Sequence, residues 1–265
     1  MWLRWLAFMS GQSFNYKAVI SYDGSAFFGW QRQPGLPTVQ GTMEDSIFEA
    51  LDEETYVYAS SRTDKGVHAL GQVISFKLPK KLNLIGMKSL LDSQLPPTIR
   101  IRSLDYAPEN FIARFESRKK IYSYIAHLGP SPSPFVHNGS WVIDNARMNM
   151  DDLEKSFNGF VGMHDFVCFG KSDEDKPNKD THCTLELAQI EKKGEYLIFL
   201  VKGDRFLHNM VRRMVSFAIF CGQGKEKPER LERIFAGELC LSCAYPAPPQ
   251  GLYLVKVEYN HEKGV

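Results

Sequence analysis

A chain of 265 residues that is 43% hydrophobic and 24% charged has enough apolar material for one large or two modest domains, which excludes disorder of the chain as a whole. Its 32 Lys and Arg against 31 Asp and Glu leave a net charge of +1, so any surface for a polyanion must come from local clusters. No apolar run reaches the roughly 20 residues that a bilayer span needs, and the five cysteines, an odd number in a chain able to build its own core, predict reduced thiols and a cytoplasmic setting.

Residues 1–15 read as an N-terminal extension: the apolar start is broken by Arg4, and Met9 is an alternative start. Residues 16–22 are rich in β-branched and aromatic side chains and run into Asp23-Gly24, a strand ending in a turn. Thr38 then precedes Val39, Met43, Ile47 and Leu51, spaced four apart on one helix face with Thr38 as the N-cap. Short strands are predicted at 56–59 and 72–78, joined by a polar connection at 61–71. A helix follows near 82–91 and a strand at 99–104. The basic segment from Arg114 to Lys120 marks the passage to a second half.

That half opens with a strand at 120–128 and has a helix near 153–157. A hairpin over 185–201 turns at Lys193-Gly194, and a final strand covers 252–259. Its clearest helix places Leu207, Met210, Val211, Met214, Val215 and Ala218 on one apolar stripe, with Arg212 and Arg213 off its centre. The recurrence of strands and helices in both halves predicts an α+β fold of two lobes, each a mostly antiparallel sheet backed by helices, divided as 16–115 and 116–265.

The connection Arg62-Thr63-Asp64-Lys65-Gly66-Val67-His68 concentrates a carboxylate, two cations, a hydroxyl and an imidazole. Such a cluster is costly unless its members pair or work. On the residues alone two readings stand: a reactive loop, or a polar turn in which Asp64 bonds nearby backbone N–H groups and Lys65 is solvated. Cys240 and Cys243 form one C-x-x-C, but a structural zinc site usually needs a second close pair, so no metal is expected. His68, His164 and His208 are too dispersed for a triad and read as structural. Gly170-Lys171-Ser172 lacks the first glycine of a phosphate loop, because Asp165 stands in its place.

Several separate motifs then agree. Tyr22-Asp23-Gly24, Phe28-Gly29-Trp30-Gln31-Arg32-Gln33, Thr38-Val39-Gln40-Gly41 and Arg62 through Ala69 closely resemble, in order and spacing, the N-terminal signature of the TruA family of tRNA pseudouridine synthases. The resemblance resumes at Ala113-Arg114-Phe115, Tyr122-Ser123-Tyr124, Gly162 through Phe166, Phe206 through Arg212 and Gly251 through Val255. It implies the pseudouridine synthase fold, with an RNA-binding cleft between the lobes. It also implies isomerisation of uridines in tRNA, in the anticodon stem-loop at about positions 38–40 by base extrusion, without a cofactor and by a homodimer.

By that resemblance Asp64 is the catalytic aspartate. Arg212 is the cation that keeps it ionised in a dry pocket, where desolvation alone would protonate it. Tyr122 packs against the target uracil, Arg62 fills or holds the gap left by the extruded base, and Leu252 lines the pocket. Arg114, Arg118, Lys119 and Lys120 are the candidate phosphate contacts. Ser61, where glycine is common, and Lys65, where alanine is frequent, resemble archaeal or eukaryotic-type members instead of the commoner bacterial pattern. Two rivals accompany this reading: a noncatalytic tRNA-binding protein or RNA chaperone of the same fold, and aspartyl-phosphate chemistry at Asp64-Lys65, which lacks a second acidic metal site.

Overall fold

The computed structural model describes residues 13–129, 133–143, 148–170, 180–239 and 245–260. The N-terminal stretch 1–12, the charged segment 171–179 and the Cys240/Cys243 pair therefore lie outside the described residues. The chain divides into two compact units, Met1–Ser117 with Val257–Val265, and Arg118–Lys256.

In the first unit the strands are β1 (Phe14–Tyr22), β2 (Tyr58–Ala59), β3 (His68–Leu78) and β4 (Ile99–Ala107). They pair antiparallel, with β1 between β4 and β3 and the short β2 on β3. Alternate residues of β1 are buried, among them Tyr16, Ala18, Ile20 and Tyr22, as the period of a half-covered sheet requires. Helix α1 (Val39–Leu51) starts where its sequence says it should: the Thr38 side chain accepts a hydrogen bond from Gly41 N–H. Met43 and Ile47 turn one face to the core. Helix α2 (Leu84–Gln94) is capped in the same way by Asn83.

In the second unit β5 (Ser117–Leu128), β9 (Tyr196–Gly203), β8 (His182–Lys193) and β7 (Gly162–Asp165) form an antiparallel run in that order, and β6 (Trp141–Ile143) pairs parallel to β5. The predicted hairpin forms, and Gly194 takes φ +60° at its turn. Helices α3 (Met150–Asn158), α4 (Met210–Gly222) and α5 (Arg230–Phe235) cover it. Its core is aromatic: Phe157, Phe160, Phe166, Phe169 and Phe217 are each 1% exposed or less, and their rings meet mostly edge to face. The outcome is the expected α+β class, a mostly antiparallel sheet backed by helices.

The structure departs from chain order in two places. Strand β10 (Leu252–Tyr259) begins in the second unit and ends in the first, so residues 116–265 are not one lobe. The reason is local packing. Tyr259 donates its hydroxyl to the Ala113 carbonyl, lies against Phe111 and receives Lys17 on its ring. The second departure concerns cysteine. The sequence reading leaves every thiol reduced, whereas Cys168 is disulfide-bonded; Cys183 and Cys221 are buried free thiols. Spacing along the chain cannot show which distant cysteines a fold brings together.

Candidate active site

In the first unit, Thr63 is buried, and its hydroxyl shares a 2.7 Å hydrogen bond with the Tyr22 hydroxyl at the end of β1. Its carbonyl accepts the Trp30 N–H at 3.0 Å, and the Trp30 side chain is itself sealed in the core. On the other side of Arg62, the Gln72 amide of β3 donates to the Ser61 carbonyl at 2.6 Å and accepts from the Ser60 hydroxyl at 2.8 Å. Arg62 is thus bracketed by two tethered residues while its own side chain is exposed.

Two glycines let the loop approach. A Cβ on Gly24 would lie 1.9 Å from the Val67 carbonyl oxygen, and one on Gly29, whose φ is +91°, would lie 2.9 Å from that of Thr63. Only glycine permits this contact. Val67 N–H donates to the Asp64 carbonyl at 3.1 Å and Gly66 has φ +80°, so Asp64 to Val67 is a tight turn with glycine in the position that needs positive φ. Asp64 opens the turn, half-buried; Lys65 occupies its corner, exposed, with Nζ 3.8 Å from the centre of the Phe28 ring.

His68 closes the loop as a buried structural histidine. Its Nδ1 lies 3.1 Å from Gly24 N–H and 3.2 Å from an Asp23 carboxylate oxygen. A bare Nδ1 accepts from Gly24, and a protonated one faces Asp23. Partial burial pushes the Asp23 carboxyl up, but hydrogen bonds from the Ser25 hydroxyl and N–H, with the neighbouring His68, prevail and hold it below the usual carboxylate range.

In the second unit, Arg212 is oriented by two contacts: its Nε donates to the Ala247 carbonyl at 2.6 Å and its Nη1 to Asn209 Oδ1 at 2.8 Å. Asn209 stands at the start of α4 with φ +64°, and its side chain makes no capping hydrogen bond to the helix. An asparagine usually spends its side chain on the helix N–H groups; here it is turned to the arginine. Tyr122 lies on β5, opposite Val201, buried and edge-on to Phe206 at 5.0 Å. Leu252 is buried at the start of β10. Burial drives the Tyr124 hydroxyl far above the ordinary phenol range against the pull of the Arg212 charge, and that hydroxyl donates to the Pro248 carbonyl at 2.8 Å.

Arg213 follows Arg212 on α4 and is not fully open to solvent. It is half-buried and donates to the Gly170 carbonyl at 2.9 Å, so it ties α4 to a neighbouring loop. The four basic candidates do not share one setting either. Arg114 belongs to the first unit, exposed beside Phe115; Arg118, Lys119 and Lys120 belong to the second. Lys119 is paired with Glu186, whose carboxyl that contact holds below its usual range. The parts that sequence reading missed are the supports: Tyr22, Gly29 and Trp30 around Thr63, Gly24 against Val67, Asn209 behind Arg212, and Phe28 beneath Lys65. Their motifs were visible, but which residue each one touches was not.

Among the described residues no group of three or more His, Cys, Asp or Glu side chains is placed to hold a metal, and no helix is long and apolar enough to cross a membrane. A groove in the first unit, about 710 Å3 and lined by Tyr56, Tyr58, Phe76 and Phe111 among others, takes no residue of the Arg62–His68 loop.

An α+β scaffold that presents a loop carboxylate between two cations has the groups of an enzyme working by nucleophilic or acid–base chemistry. The profile of the tRNA pseudouridine synthase family matches residues 18–116 and 157–260, and the chain belongs to that family, whose members are isomerases converting uridine to pseudouridine. It is 37% identical over 244 residues to tRNA pseudouridine synthase A of Methylacidiphilum infernorum, covering 92% of this chain and 95% of that protein. Its identity to the same enzyme of Pseudothermotoga lettingae is 32%, covering 92% and 99%. For that of Brachyspira hyodysenteriae the figures are 35%, 94% and 99%. Among solved structures, the archaeal box H/ACA sRNP Nop10–Cbf5 complex aligns with 77% of this chain and 44% of its own at 11% identity and a TM-score of 0.33, too slight a likeness to carry weight.

Proposed function

We propose that this protein isomerises specific uridines of tRNA to pseudouridine, with Asp64 as the catalytic carboxylate. The uridines are those of the anticodon stem-loop, and the protein works in the cytoplasm as a homodimer. The observation that carries the reading is the tethering of Thr63 by Tyr22 and Trp30, which fixes the residue before Asp64 at the head of a tight turn and leaves its carboxyl half-buried. A carboxylate so held meets an extruded base without first being ordered, which is where much of the barrier to such a step lies.

In this reading the target uridine leaves its stack and Arg62 occupies the gap. Asp64 attacks either the anomeric carbon of the ribose or the base, and the N-glycosidic bond breaks. The uracil turns, carbon 5 bonds to the ribose, the bond between Asp64 and the ribose or the base breaks and returns its electron pair to the carboxylate, the carbon 5 proton is removed with help from the freed carboxylate, and N1 gains a proton. Atoms balance and no reagent is consumed. Arg212 keeps Asp64 ionised against desolvation, Tyr122 stacks on the uracil, Leu252 lines its pocket, and Arg114, Arg118 and Lys120 contact phosphates. Lys119, already paired with Glu186, contributes least.

The test is Asp64→Asn. Purified variant is expected to bind tRNA with near wild-type affinity and to form no pseudouridine, read by carbodiimide-based primer extension. Isomerisation near the wild-type rate in the variant would overturn the assignment of Asp64. Wild-type protein that binds tRNA and leaves every uridine unchanged would establish the noncatalytic reading. Modification lost outside the anticodon arm in cells lacking the protein would move the target and leave the chemistry in place.

A further inference from the structure

The catalytic reading does not use Lys65. It sits at the corner of the Asp64–Val67 turn, one residue after the carboxylate and three after the exposed Arg62. Two features restrict it. The turn, closed by the Val67 N–H and by Gly66 at φ +80°, fixes its backbone, and Gly29 packs so closely behind that an added Cβ would lie 3.2 Å from the Lys65 nitrogen. The Phe28 ring, 39% exposed, then receives the ammonium at 3.8 Å, close enough for a cation–π contact. A lysine side chain ordinarily gives up much rotamer freedom when it binds. Here the backbone and the aromatic face have already removed part of it, while the side chain as a whole remains exposed.

The geometry points to Lys65 as a phosphate-contact residue, held over Phe28 to bind a phosphodiester of the RNA next to the nucleotide that Asp64 acts on. Arg62 and Lys65 then flank the carboxylate as two cations on one short loop. An ammonium is a compact point charge suited to a backbone phosphate and carries no sequence information. The inference rests on the proposed tRNA reading but is read by a different measurement.

The experiment measures tRNA binding by filter retention for wild type, Lys65→Ala and Lys65→Arg across a salt series. One phosphate contact is expected to contribute about 0.7 to 0.9 to the slope of log affinity against log salt. Lys65→Ala should therefore bind more weakly at low salt, with its deficit shrinking about threefold between about 50 and 200 mM salt. Lys65→Arg should keep the slope. Phe28→Leu should weaken binding while keeping the slope, because the charge stays and only its support is lost. A Lys65→Ala slope parallel to wild type overturns the inference, whether or not the protein makes pseudouridine. Should Lys65→Ala fail to fold, Lys65→Gln keeps the aliphatic stem and reads the same slope. Absence of pseudouridine with wild-type protein overturns the catalytic reading and leaves the salt result to stand by itself.

Discussion

Asn209 shows how a single residue ties backbone geometry to chemistry. Its φ of +64° lies in the left-handed region, which asparagine tolerates better than most residues but at some cost. The side chain then holds Arg212 by Nη1 instead of capping α4. Glycine accepts that backbone without strain, so Asn209→Gly separates the two roles. The expected outcome is unchanged or slightly higher thermal stability with kcat reduced on the order of 10- to 100-fold, the scale of a misplaced catalytic group. A variant with wild-type kcat would show that Arg212 is oriented without Asn209. A parallel loss of stability and activity would make Asn209 merely structural.

At the scale of elements, α1 and the Phe28–Gln33 segment form one assembly. Val39 N–H donates to the Gly29 carbonyl at 3.2 Å and Gln40 N–H to the Trp30 carbonyl at 2.9 Å, so the first turn of the helix satisfies its open donors on the strip that supports Thr63. The Thr38 hydroxyl, buried, takes one more. Thr38→Ala should cost about 1 kcal/mol, the usual loss of an N-cap, seen as a lower urea midpoint at unchanged slope. Because α1 braces the loop, pseudouridine formation should fall by more than tRNA binding does. An unchanged midpoint would mean that the backbone contacts suffice. The helix and its cap were legible in the chain, since the four-residue spacing of Val39, Met43, Ile47 and Leu51 needs no tertiary information. What the helix holds in place was not, because a backbone bond from Gln40 to Trp30 leaves no mark on side-chain pattern.

Across the whole molecule, burial sets the response to alkali. It pushes the Cys183 thiol up to about 12 and the Cys221 thiol up to about 11, from an ordinary 9.0. Both therefore stay protonated in the folded protein where the unfolded chain would release its protons. The native state then binds more protons than the unfolded one, so the contribution is complete below pH 9 and is lost as pH rises from there towards 11 and 12. The measurable consequences are slow labelling of both thiols by iodoacetamide at about pH 8, and a urea midpoint that falls between about pH 9 and 11. Labelling as fast as in unfolded protein would contradict the burial that causes the shift.

The amino-acid sequence alone determined the α+β class and the order of the longer strands and helices, with ends off by a few residues, but not the short β6 and β7 or α5. The class and that order rest on local periodicity, caps and glycine-bearing turns, which act between near neighbours. Only tertiary structure decided that the end of β10 joins the first unit through Tyr259 and Ala113, that Arg213 ties down a loop, and that Cys168 is bonded to another cysteine. It alone decided that Lys65 lies over Phe28 and Arg212 against Asn209. Each of these depends on which parts of the chain share space, and distance along the sequence does not specify that.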